Sequence, residues 1–160
     1  MKTMVKMLAP LLLIAAAAPP SAAKHDHSGT WRSVESKSFW SNGEFPKGFS
    51  LTIQMTFSDN KLVYHAVNDT AKDKPPYIND FTATLDDQVG PLAGSARYNQ
   101  IRIKPLGPDA YQVLEQKDGD VIVGQYWQFS ADGKSLVRWG VGKAPDGKSK
   151  AFQEWFERVK

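Results

Sequence analysis

Three histidines are the first residues of this chain to consider for chemistry. His25 and His27 flank Asp26 and could bind copper, nickel or zinc through their imidazoles. His65 lies in the strand-like segment 61–67. A catalytic histidine needs a nucleophile and an acid that orients its ring, and no motif such as Gly-x-Ser-x-Gly accompanies it. The sequence therefore predicts no catalytic site, no metal site and no cofactor.

Acidic residues near the end of the chain are the next candidates. Glu154 and Glu157 lie among aromatic residues, and Arg138 lies in the preceding strand-like segment. Opposite charges on neighbouring strands favour a cross-strand ion pair. The alternative is a buried acid whose pKa is raised by its surroundings.

Aromatic residues are abundant, with five Trp, five Tyr and eight Phe. Most of them can be explained as core, because a small barrel must be filled with side chains. A sharper hypothesis is an aromatic pocket for a small apolar or amphipathic ligand. The candidate pocket residues are Met55, Phe57, Tyr64, Trp127, Phe129 and Trp139.

The elements that would position these residues are strands. In segment 50–58, Leu51, Ile53, Met55 and Phe57 alternate with polar residues, which is the pattern of a half-buried strand. Segments of the same kind recur along the chain, while 35–49 and 68–76 have the composition of loops. The further predicted strands are 61–67, 78–85, 96–104, 110–116, 121–129, 136–142 and 151–159.

Turn signals separate these segments. Asp-Gly pairs occur at 118–119, 132–133 and 146–147, and Asp59-Asn60 lies between two earlier strands. Asp-Gly between β-branched and aromatic segments predicts a tight hairpin, because both residues tolerate positive φ. Consecutive hairpins along the chain predict an antiparallel all-β meander of about eight or nine strands. Such a sheet must protect its edges, and an up-and-down barrel does so by closing; a two-sheet sandwich is the alternative.

Two short motifs resemble those of a known group of barrels. Gly29-Thr30-Trp31 opens the first strand, and Phe156-Glu157-Arg158-Val159 ends the last. The first is similar to the Gly-x-Trp motif of lipocalins and fatty-acid-binding proteins, and the second to their arginine-bearing final strand. The stretch from Phe129 to Val159 also resembles small exported bacterial proteins of lipocalin-like type.

The resemblance implies a lipocalin-like barrel that could hold a small apolar ligand. It also places the first and last strands side by side. Trp31 would then plug one end of the barrel and Arg158 would stack on its indole, which closes the barrel.

The start of the chain predicts export. Lys2 and Lys6 precede an apolar run, and small residues end it at Ala23. This pattern is typical of a signal peptide over 1–23, followed by a flexible tail over 24–28 and a barrel domain over 29–160. The expected location of the mature protein is the periplasm or the cell exterior.

The remaining composition excludes several kinds of partner and site. Lys2 and Lys6 supply two of the three net positive charges, so the mature chain is nearly neutral. That balance gives no argument for a nucleic-acid partner. The chain has no cysteine, and therefore no disulfide and no thiolate site. No segment after residue 23 is apolar enough to span a membrane, and the oligomeric state does not follow from the sequence.

Overall fold

The protein is described by a computed structural model that covers residues 26–93 and 95–159. It is an antiparallel all-β barrel that is nearly closed. One short 3-10 helix, Glu35–Lys37, interrupts the strands. No helix within the described residues has the length and apolar character needed to cross a membrane.

Eleven strands form one continuous sheet. In chain order they are β1 (Gly29–Ser33), β2 (Phe39–Trp40), β3 (Leu51–Ser58), β4 (Lys61–Asn68), β5 (Tyr77–Thr84), β6 (Val89–Pro91), β7 (Gln100–Gly107), β8 (Ala110–Lys117), β9 (Asp120–Phe129), β10 (Ser135–Lys143) and β11 (Ser149–Arg158).

The strands follow one another around the barrel as a meander. The order is β5-β4-β3-β1-β11-β10-β9-β8-β7-β6, so the first strand pairs with the last. The short β2 pairs with β11 beyond the end of β1, and the two share one position in the sheet. The barrel is incomplete only between β5 and β6, where the bridge between Asp80 and Ala93 replaces a full ladder.

Alternation within the strands decides which side chains enter the barrel. On β3, Leu51, Ile53 and Met55 are buried, as the period-2 pattern predicted. The same rule holds on the long C-terminal strands. The inward-facing residues of β9, β10 and β11 include Phe129, Leu136 and Phe156 towards one end of the barrel and Gln125, Arg138 and Glu154 towards the other.

The two ends of the barrel therefore differ in chemistry. One end is filled by aromatic rings: Phe129 lies 5.2 Å from Trp31 and 6.1 Å from both Phe57 and Tyr111, centroid to centroid. These are edge-to-face distances at which aromatic pairs attract each other. The other end carries polar side chains and is open.

The predicted strand count of eight or nine was too low. The two strands that it lacked, Phe39–Trp40 and Val89–Pro91, are too short to show alternation. The first of them lies in segment 35–49, which was predicted to be a loop. The predicted strand 96–104 begins only at Gln100, because the Ser95 hydroxyl accepts hydrogen bonds from the backbone of Arg97 and Tyr98 and holds a turn.

All four predicted hairpin turns are present, but the three Asp-Gly turns are not alike. Asp118 and Gly119 both have positive φ, as a two-residue hairpin requires. In the loops 130–134 and 144–148 only the glycine, Gly133 or Gly147, has positive φ. In both loops the glycine amide donates back to the carbonyl three residues earlier, so these are longer turns with glycine in the last position.

The predicted contact between Trp31 and Arg158 is present. The two residues are direct register partners of β1 and β11, and the Arg158 guanidinium carbon lies 5.6 Å from the centroid of the Trp31 ring. Arg158 also donates to the backbone carbonyls of Asp26 and Ser28. One side chain thus holds the last strand, the indole and the segment before β1 together.

This contact predicts a coupled loss of stability. Trp31→Ala should destabilise the fold by about 3–5 kcal/mol, because the fully buried indole leaves a cavity. Arg158→Ala should cost less, since it removes mainly stacking and hydrogen bonds. In a double-mutant cycle by urea unfolding, the coupling should be about 0.5 kcal/mol or more. Additive losses would show that the two side chains do not act together.

Candidate functional site

The open end of the barrel contains a cavity of about 360 Å³. Its apolar wall comes mainly from aromatic rings, and its polar groups come from strands on both sides. The lining residues that matter most here are Trp40, Phe49, Tyr64, Phe152, Arg97, Tyr98, Glu115, Gln125, Arg138, Lys150, Glu154 and Asn79. An apolar cleft with a few converging polar groups is the usual form of a small-molecule site.

A buried ion pair forms part of the cavity floor. Arg138 on β10 is opposite Glu154 on β11, and its Nε donates to Glu154 Oε2 at 3.0 Å. A second guanidinium nitrogen donates to the Tyr64 hydroxyl at 3.2 Å. Burial alone would lower the pKa of Arg138, but Glu154, Tyr64 and Glu115 together outweigh it and the pKa is raised. The predicted cross-strand pair is therefore correct for Glu154, and it lies inside the barrel.

The other predicted partner, Glu157, lies on the outside. Its carboxylate is 3.0 Å from Lys37 Nζ, and both side chains are about half exposed. The two acids are three positions apart on one strand and thus have opposite environments, because an odd separation places side chains on opposite faces.

Glu115 on β8 is a second acid in the cavity. It is buried, and its strand neighbours Ile101 on β7 and Val123 on β9 are apolar. Burial raises its pKa to about 7, against the opposing effects of Arg138 and Arg97. Glu115 was not among the candidate residues from the sequence, although Tyr111 and Val113 on the same strand are buried. The next inward position by period 2 is residue 115.

Two further polar groups in the cavity lack protein partners. Asn79 Oδ1 and Gln125 Oε1 are buried and accept no hydrogen bond from any described residue. A buried acceptor without a donor costs about 1–3 kcal/mol.

The segment before β3 forms one side of the cavity mouth. Trp40 and Phe45 meet at 5.4 Å and Phe45 and Phe49 at 4.9 Å, so this segment is folded onto the barrel. Lys150 Nζ lies 3.0 Å from the centroid of the Trp40 ring. Arg97 reaches across from the β6–β7 connection and donates to the Lys143 carbonyl at 2.8 Å.

Of the six predicted pocket residues, only Tyr64 lines this cavity. Met55, Phe57 and Phe129 pack towards the filled end, and Trp127 is buried beside Tyr64 with ring centroids 5.6 Å apart. Trp139 was assigned wrongly to the interior: it lies on the outer face, stacked on Tyr126. Trp139 follows Arg138 on β10, and only one of two adjacent residues on a strand can point inward.

His27 and His65 have no part in the cavity, and His25 lies outside the described residues. His27 belongs to the segment predicted as a flexible tail, yet its ring is buried and stacks on Phe129 at 4.0 Å. His65 lies on the outer face of β4, with Nδ1 2.5 Å from Asp80 Oδ1. Within the described ranges, no three His, Asp or Glu residues group closely enough to hold a metal ion.

A scan against protein-family models and a search of curated proteins both find no match to this chain. The function of the cavity must therefore be argued from its own geometry.

The buried ion pair predicts an asymmetric cost of substitution. Glu154→Gln should destabilise the fold by about 3–5 kcal/mol, because it leaves the Arg138 guanidinium buried without a counter-charge. Glu157→Gln on the same strand is the matched control and should cost under about 1 kcal/mol, since that pair is exposed. Urea unfolding measures both. Equal losses for the two variants would contradict the assignment of Glu154 to the interior.

Glu115 predicts a pH-dependent stability. Its folded pKa of about 7 lies above the usual 4.5, so the folded state holds a proton that the unfolded state releases. Stability from this group is complete below about pH 4.5 and is lost as the pH rises to about 7. Relative to wild type, Glu115→Gln should therefore gain about 2–4 kcal/mol between pH 4 and pH 8. A difference in unfolding free energy that stays constant over this range would refute the assignment, and Glu157→Gln serves as the control.

Proposed function

We propose that this chain is an exported, lipocalin-like binding protein that carries a small amphipathic molecule in its barrel. The observation that carries the proposal is the open cavity of about 360 Å³, with aromatic walls and converging polar side chains. A barrel whose only role was structural would gain stability by filling that space with apolar side chains.

The lipocalin-like part of the proposal draws on the ends of the chain. Trp31 and Arg158, which carry the resemblance in sequence, lie together where the first and last strands meet. In this role the N-terminal residues 1–23 would direct export, and the site of action would be the periplasm or the cell exterior.

The proposal predicts that blocking the cavity mouth abolishes binding. Gly142 lines the cavity and its backbone tolerates a side chain, so Gly142→Phe should fill the mouth. Val141→Phe on the same strand points outward and is the matched control. With the neutral fluorescent probe N-phenyl-1-naphthylamine, Gly142→Phe should weaken binding at least tenfold, and Val141→Phe should not. Native mass spectrometry of protein from the cells that make it should then show a small molecule that the Gly142→Phe variant lacks.

Equal binding by the two variants would mean that the cavity is not the site. A protein-interaction role is the second candidate, and one observation favours it. Tyr126 and Trp139 stack at 5.8 Å on the outer face, each about 39% exposed, beside the more exposed Val141. If this surface is the functional one, Trp139→Ser should reduce association of the protein in sedimentation experiments while leaving probe binding intact.

A further inference from the structure

The charges around the cavity do not balance. Four cationic residues and two acids line it: Arg97, Arg138, Lys143, Lys150, Glu115 and Glu154. Arg138 is matched by Glu154, and Lys143 Nζ lies 3.1 Å from Asp120 at the surface. Within residues 26–93 and 95–159, no carboxylate lies within 4.0 Å of the charged groups of Arg97 or Lys150. The mouth therefore holds two cations that no carboxylate contacts directly, although Glu44, Glu154 and Asp146 act on Lys150 from a greater distance.

These two cations influence each other and are held in place. Partial burial is the main cause of the lowered pKa of Lys150, the Glu44 carboxylate opposes it, and the charge of Arg97 adds to it. The Trp40 ring under Lys150 and the Lys143 carbonyl beside Arg97 fix their positions. Two neighbouring like charges that no carboxylate contacts directly attract an anion, because an anion would relieve their repulsion.

Glu115 opposes such an anion from inside the cavity. The charged and titratable groups that act on it are Arg138 on β10, Glu154 on β11, and Arg97 and Tyr98 of the connection between β6 and β7. Its neighbours on β7 and β9 are apolar, and among the described residues no cationic group lies within 4.0 Å of the Glu115 carboxylate. A second negative charge in the same low-dielectric space would disfavour its ionised form.

We propose that the cavity takes an amphipathic anion, with its charged head between Arg97 and Lys150 and its apolar body against the aromatic wall, and that the anion binds the form of the protein in which Glu115 is protonated. This inference rests on the proposed function, since it names the charge of the ligand and the regulation of the same site. Protonated Glu115 presents no charge to the ligand and gains a hydrogen-bond donor.

The coupling between anion binding and protonation of Glu115 determines how the affinity for an anion changes with pH. In the empty cavity Glu115 exchanges its proton near neutrality, with a pKa of about 7 that is raised mainly by burial. Binding that requires the proton is independent of pH below this value and weakens by up to about tenfold per pH unit above it. Between pH 6 and pH 8, the affinity for an anion should fall about tenfold.

The test compares an anionic probe with a neutral one. 1-Anilinonaphthalene-8-sulfonate keeps its charge over this pH range, so any pH dependence belongs to the protein, and N-phenyl-1-naphthylamine has a similar ring system without the charge. For wild type, the sulfonate should bind about tenfold more weakly at pH 8 than at pH 6, and the neutral probe should change little. Glu115→Gln should bind the sulfonate tightly at both pH values. Glu157→Gln is the control and should behave as wild type.

A second set of variants tests the position of the anion's charged head, independently of the protonation of Glu115. Arg97→Gln and Lys150→Gln should each weaken binding of the sulfonate several-fold more than they weaken binding of the neutral probe. Lys148→Gln removes an exposed lysine two residues from Lys150 and should change neither.

Each contrary result identifies which idea fails. Neutral-probe binding together with sulfonate affinity that is constant or rises with pH would overturn this inference and leave the carrier role standing. Tighter binding of dodecyltrimethylammonium than of dodecyl sulfate, both below their micelle concentrations, would overturn it in favour of a cationic ligand. If neither fluorescent probe binds, or if Gly142→Phe does not block them, the proposed function fails as well.

Discussion

The pairing of β1 with β11 is the constraint on which the rest of the structure depends. A meander of this length exposes two edges, and edges invite pairing with other chains. Trp31 and Arg158 meet where the first and last strands join, and the arginine also binds the backbone before β1. Once β1 and β11 are paired, each later strand can add to its neighbour, and alternation determines which side chains enter the barrel.

The pairing of β1 with β11 also explains why the two ends of the barrel can differ. At the Trp31 end the interior is a close-packed aromatic cluster, and even His27 is stacked within it. Dense packing there supplies apolar burial that the other end lacks. The open end can therefore retain a buried ion pair, a buried acid and two oxygens without donors, each of which lowers stability unless it is matched by a partner.

The sequence predicts the strands well and the site poorly, and one physical rule accounts for both results. Alternation identified the inner face of β3, and the same alternation of apolar and polar residues is present on β5 and β8. On β10 the rule is ambiguous, since Arg138 and Trp139 are adjacent and either could point inward. Hydrophobicity favours the tryptophan, yet the structure places the arginine inside, where Glu154 and Tyr64 bind it. A shift of one residue exchanges the two faces of a strand, so this ambiguity placed Trp139 in the candidate pocket. Alternation also does not tell which end of the barrel is open, so Met55, Phe57 and Phe129 were assigned to the pocket although they pack towards the filled end.

The site contacts that could not be predicted from the sequence join residues that are far apart in the chain. Arg138 and Tyr64 are 74 residues apart, and the buried position of His27 depends on Phe129 and on the Pro108 carbonyl 3.1 Å from its Nε2. Arg97 and Tyr98 enter the cavity from the connection between β6 and β7, next to the place where β5 and β6 do not form a full ladder. The weakest part of the barrel thus supplies two of the groups that surround Glu115. A barrel closed equally tightly on all sides would have no such connection to place over the cavity, and the charges of its mouth would have to come from the strands alone.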